Sequence, residues 1–130
     1  TDNISAASGC VIVDDSTNGT ALAIINNGTV AFGLNVSAAG CPFDSSCIQQ
    51  MKVNGTGGLP MNSSCNPALN FITVPGTSAE VNLHKYVPAG EQVFISLNYT
   101  FGISGTPPGF KNVSYNFTAV TTLPGYDPTC

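Results

Sequence analysis

Hydrophobic and polar residues alternate with a period of two along most of this chain, and no stretch carries the 3.6-residue period of a helix. Over 30–37, Val30, Phe32, Leu34 and Val36 share one face, while Ala31, Gly33, Asn35 and Ser37 take the other. Residues 91–103 set Val93, Ile95, Leu97, Tyr99, Phe101 and Ile103 on one side, and 111–122 set Val113, Tyr115, Phe117 and Ala119 against Asn112, Ser114, Asn116 and Thr118. Shorter strands are expected at 21–25, 47–53, 69–74 and 78–87. Asn26-Asn27-Gly28-Thr29 predicts a tight hairpin turn, and Pro88-Ala89-Gly90 a second turn. Seven short strands divided by turn signals predict an all-β fold, an immunoglobulin-like sandwich of two sheets.

The first 15 residues stand apart from that body, and the chain divides into an extended segment with a hinge at 1–15 and a sandwich head at 16–130. Small and β-branched residues, among them Ile4, Ala6, Ser8, Cys10, Val11, Ile12 and Val13, precede a polar break at Asp14-Asp15-Ser16-Thr17-Asn18-Gly19. Two readings fit a strand followed by a hinge. It is the first strand of its own sandwich, or it leaves its chain and completes the sheet of a neighbouring copy, where small side chains enter a groove and alternation pins the register.

Nine of the 13 asparagines begin Asn-x-Ser/Thr sequons: Asn3, Asn18, Asn27, Asn35, Asn54, Asn62, Asn98, Asn112 and Asn116. Random placement would give about 2.5, so the pattern predicts N-linked glycans. Strand parity puts the sequons at Asn35, Asn98 and Asn116 on the faces turned away from the core, and those at 18, 27, 54 and 62 in turns. Only 8% of residues are charged, and arginine is absent. Solubility then falls to hydroxyls, amides and sugar, which hardly respond to pH, and this predicts a protein of an acidic or harsh exterior, extracellular and at the cell surface.

Five cysteines (Cys10, Cys41, Cys47, Cys65 and Cys130) in an exported chain predict up to two internal disulfides and one cysteine left free or bridged to another chain. A metal site is not expected, because no Cys-x-x-Cys pair occurs and His84 is the single histidine. No cofactor is expected either. A net charge of −4 without a basic stripe argues against nucleic acid, and the apolar runs are too short to span a bilayer.

A sequon-dense, arginine-free β-sandwich with a detached N-terminal strand resembles the thread filament subunits of thermoacidophilic archaea. The resemblance implies a linear polymer of identical subunits, in which residues 4–13 of each copy are a donor strand completing the fold of the next. Type IV pilins of archaea begin instead with a long apolar helix, which this sequence lacks.

Lys85 and His84 bear on two further chemistries. Parity over 79–87 turns Lys85 inward with Val81, Leu83 and Val87, so Lys85 either forms an isopeptide bond assisted by Glu80 or Glu91, or extends its amine to water. The same parity leaves His84 on the polar face, with no Gly-x-Ser-x-Gly elbow or phosphate loop to accompany it, and no catalytic residue is assigned. The alternative to a filament subunit is a secreted glycosylated module that binds carbohydrate or acts as an adhesin. Its stacking aromatics would be Phe43, Phe110 or Tyr126.

Overall fold

The computed structural model describes the backbone of residues 11–14 and, in full, residues 22–42, 47–100 and 113–130. Eight strands and no helix occur among them: β1 (Val11–Asp14), β2 (Leu22–Ile25), β3 (Phe32–Ala38), β4 (Ile48–Gly55), β5 (Ile72–Thr73), β6 (Val81–Val87), β7 (Gln92–Thr100) and β8 (Tyr115–Val120). In one sheet, β7 lies between β4, which continues to β5, and a row made of β1 and β2 end to end. The other sheet has the order β6-β3-β8, and all pairings are antiparallel.

The two sheets face each other across one core, and alternation explains which residues fill it. In β7 Val93, Ile95, Leu97 and Tyr99 are buried, and the residues between them are half-buried on the outer face. Leu34 and Val36 of β3, Met51 and Val53 of β4, and Leu83 and Val87 of β6 meet them from the other strands. Val30 does not join the strand predicted to include it and is 67% exposed.

Asn26-Asn27-Gly28-Thr29 does turn the chain, but it makes no hairpin: β2 belongs to the β7 sheet and β3 to the other. The buried Asn26 side chain supplies the reason. Its amide donates to the carbonyls of Val30 (2.9 Å) and Val87 (3.0 Å), and its oxygen accepts from Gly28 N–H (2.9 Å), so the turn is fastened to the start of the β6–β7 connection and steered across the sandwich. The turn at Pro88-Ala89-Gly90 forms as expected, with Gly90 at φ +83°, where a residue with a Cβ would be strained.

Pairing of β3 with β6 shifts register between Phe32 and Leu34 and again between Leu34 and Asn35. These irregularities break the simple alternation of β6, and the parity expectation for two residues fails with it. His84, expected on the polar face, has no exposed surface, and Lys85, expected inside, is half-buried.

The outer edge of β6 is not left open. Lys85 N–H donates to the Cys65 carbonyl (2.8 Å), Asp127 N–H donates to the Lys85 carbonyl (2.9 Å), and Ala68 N–H donates to the Leu83 carbonyl (3.3 Å). The C-terminal segment thus lies over this sheet, close enough that a Cβ on Gly33 would stand 1.9 Å from the Gly125 carbonyl oxygen. Tyr126 stacks on Tyr86 with ring centroids 5.9 Å apart, and it is half-buried there.

Candidate functional surfaces

The rim of β7 is the first surface with a functional bearing. Val11, Ile12, Val13 and Asp14 pair with Thr100, Tyr99, Asn98 and Leu97 of the same chain, while Leu22 to Ile25 pair with Ile95 to Gln92 farther along the same side. The segment that the sequence sets apart therefore lies, over these four residues, along its own β7. Residues 1–10, which hold Ile4, Ala6, Ser8 and Cys10, are outside the described residues. Asp14 and Leu22 face positions only two apart on β7, a gap of about 7 Å, whereas the seven residues joining them could extend to about 25 Å. An uninterrupted strand would need one residue there. β1 is seated at a sheet edge, separated from β2 by seven residues, with β7 as its sole partner strand among the described residues.

The second surface is the set of sequons. Asn27, Asn54, Asn62 and Asn116 are exposed, and Asn35 and Asn98 are half-buried. As parity predicts, Asn35 and Ser37 face away from buried Leu34 and Val36, and Asn98 and Thr100 away from buried Leu97 and Tyr99. Asn54 lies on β4 rather than in a turn. Asn62 forms an Asx turn in which its oxygen accepts from Ser64 Oγ (2.5 Å) and from Cys65 N–H (3.0 Å). Asn98 donates to Gln50 Oε1 (3.1 Å). Asn3, Asn18 and Asn112 lie outside the described residues.

Cysteine pairing is resolved for four of the five: Cys41 with Cys47, and Cys65 with Cys130. The first closes a short loop before β4. The second fastens the C-terminus to the loop that covers β6. Lys85 meets neither proposed helper. Glu80 accepts a 3.4 Å hydrogen bond from Asn35, and Glu91 accepts from Thr56 Oγ1 and from Gly58 N–H (3.3 Å). The carboxylate nearest in charge is Asp127, held below its ordinary range by hydrogen bonds from the Thr129 hydroxyl and backbone N–H and, to a smaller extent, by Lys85. Phe43, Phe101 and Phe110 are outside the described residues.

Inside the sandwich a run of polar side chains is hydrogen-bonded, while buried Asn66 donates to the Val53 carbonyl (3.1 Å) and has no hydrogen-bond partner at its oxygen. Tyr99 and Tyr115 share a 2.5 Å hydroxyl contact, Tyr115 donates to Gln49 Oε1 (2.7 Å), and Gln49 donates to the Gly40 carbonyl (2.7 Å). Burial and the Tyr99 contact raise the Tyr115 pKa, so its phenol stays protonated and can donate. His84 sits 2.6 Å from the Pro60 carbonyl through Nε2 and accepts Tyr86 N–H at Nδ1 (2.9 Å), which fixes the neutral ring with its proton on Nε2. No group of three or more metal-ligating side chains exists among the described residues.

Burial lowers the His84 pKa below the ordinary 6.5. On acidification the unfolded chain therefore takes up its proton first, and stability present above pH 6.5 is lost as pH falls toward the folded pKa, below which the loss levels off. The slope in that window approaches about 1.4 kcal/mol per pH unit. Urea midpoints of the His84→Gln variant should lack this slope between neutral pH and the carboxylate range. An identical slope in variant and parent would refute the assignment. The buried imidazole is thus an acid-sensitive element in a chain whose surface otherwise carries few titrating groups.

Comparison with known proteins finds no family model, no characterised sequence and no solved structure that matches this chain.

Proposed function

We propose that this chain is a structural subunit of an extracellular filament, an immunoglobulin-like head that links to identical copies through its N-terminal strand and is coated with N-glycans. The observation that carries the reading is the seat of β1, a four-residue strand at a sheet edge, joined to β2 by seven residues where one would suffice. Pairing of Val11–Asp14 with 97–100 uses the same backbone groups whether the strand comes from its own chain or from another. A tether of only seven residues would give the strand an effective concentration in the millimolar range at its own head, so polymerisation needs contacts between heads or a tether held extended. Asn18 lies in that tether, and an oligosaccharide attached to it would hold the connection extended.

Further support comes from the closure of the head. Residue 130 is fixed by the Cys65–Cys130 bond, and β6 is covered by the segment leading to it, so this side of the head is not open to a second strand. Two disulfides fit an exported protein. No helix among the described residues is long and apolar enough to cross a membrane. The test is electron microscopy of the full chain at rising concentration beside a chain lacking residues 1–14. Filaments from the first and monomers from the second support the reading, and a first sample that remains monomeric overturns it.

A further inference from the structure

Two sequons on neighbouring strands face each other in register. Asn35 of β3 pairs with Thr118 of β8, and Ser37 pairs with Asn116, so Asn35-Val36-Ser37 and Asn116-Phe117-Thr118 run antiparallel, side by side, on the outer face of one sheet. Directly opposed residues stand about 5 Å apart and diagonal ones about 7 Å, so the two asparagines share a space that would hold the first sugar of one glycan but crowd two.

The surroundings of the two asparagines differ. Asn35 is half-buried beneath the C-terminal segment: its oxygen accepts from Asn82 Nδ2 (2.9 Å), its own amide nitrogen donates to Glu80 (3.4 Å), and the same Asn82 amide donates to the Gly125 carbonyl (2.9 Å). Asn116 is exposed on the edge strand of its sheet and borders a cleft of about 450 Å³. Ser37, Ser78, Glu80, Ser114 and Thr118 bring hydroxyls and one carboxylate to that cleft, a lining that matches the hydroxyls of a sugar ring. Ser78 is held at φ +64°, the only non-glycine residue with a positive φ among the described residues, and its N–H donates to the Ala38 carbonyl (2.9 Å). The backbone beside the cleft is thus fixed in a conformation that an L-residue adopts at a cost.

We infer that Asn116 is the glycosylated member of this pair, that Asn35 stays unmodified, and that the first sugar on Asn116 lies in the cleft against Glu80 and Ser37. The inference rests on the glycoprotein half of the reading above and not on assembly. In the transfer, Asn116 Nδ2 forms a bond to the anomeric carbon of an oligosaccharide carried on a lipid phosphate or pyrophosphate. The bond from that carbon to the phosphate oxygen breaks, the phosphate leaves with the electron pair, and Nδ2 gives up one proton and keeps one N–H.

Glycopeptide mass spectrometry of the protein from its native source reads occupancy site by site. Sugar at Asn116 with none at Asn35 is expected. Sugar on both asparagines of the same molecule, or at Asn35 alone, overturns the inference, and an unmodified pair beside occupied Asn54 or Asn62 does so while leaving the glycoprotein reading intact. Placement in the cleft is read from a mutant cycle on the native glycoprotein. Glu80→Ala should lower Tm by about 3 °C in the glycosylated protein and by much less in an Asn116→Gln background, because the carboxylate has then lost its sugar. Equal shifts in the two backgrounds would place the sugar elsewhere.

Discussion

A chain lacking residues 1–14 is expected to form no filaments and to be less stable than the full chain by roughly 2–4 kcal/mol, from four register pairs of ladder hydrogen bonds at about 1 kcal/mol per bond. The exposed rim of β7 from Leu97 to Thr100 would then be an unpaired edge, inviting aggregation. A synthetic peptide of residues 1–14 should refill that rim and restore stability in proportion to the logarithm of its concentration. The truncated head should also act as a terminator: it can accept a strand but gives none, so adding it to the full chain should shorten filaments. Filaments of unchanged length would contradict the proposed linkage, and a truncated chain as stable as its parent would contradict the β1 pairing itself.

The second large effect belongs to the Cys65–Cys130 bond. It joins residues 65 apart, and the loop-closure cost it removes from the unfolded chain is about 4 kcal/mol, against about 2 kcal/mol for Cys41–Cys47, which joins residues six apart. Total stabilities of single domains are about 5–15 kcal/mol, so the longer bridge is a large share of the whole. Its loss also frees the segment whose Asp127 N–H and Gly125 carbonyl bond to β6. Cys130→Ser is expected to lose about 4 kcal/mol in urea unfolding, and Cys47→Ser about half as much. Equal losses, or a greater loss for Cys47→Ser, would show that closure of the C-terminal segment is not what the bridge contributes.

The sequence disclosed the sandwich where a strand is long, regular and buried on one face. β7 is the clearest case, since its inward Val93, Ile95, Leu97 and Tyr99 alternate without a break. The outward parity of the sequons on β3 and β7 was legible for the same reason. Alternation failed on β6, where slips in register against β3 buried His84 and left Lys85 half-buried; Gly33 stands at the first slip, but the second, between Leu34 and Asn35, has no glycine to mark it. The Asn-Gly turn was readable as a turn but not as a crossing between sheets, which depends on the Asn26 amide finding the Val87 carbonyl 61 residues away. Cysteine spacing could not reveal that Cys130 meets Cys65, since the contact is made by the fold. The side-by-side sequons on β3 and β8 needed the register, which two isolated strand patterns do not contain. Nor does a local pattern say which copy supplies an edge strand.

That last question has a direct measurement. Val13 and Asn98 face each other across β1 and β7, so a chain carrying Val13→Cys and Asn98→Cys, with Cys10→Ser to remove the odd thiol, can be oxidised and run on a non-reducing gel. A strand donated between copies predicts a ladder of covalent oligomers that collapses to monomer on reduction and grows with protein concentration. A single monomer band carrying the internal cross-link, the same at every concentration at which the full chain is assayed for filaments, would contradict the account.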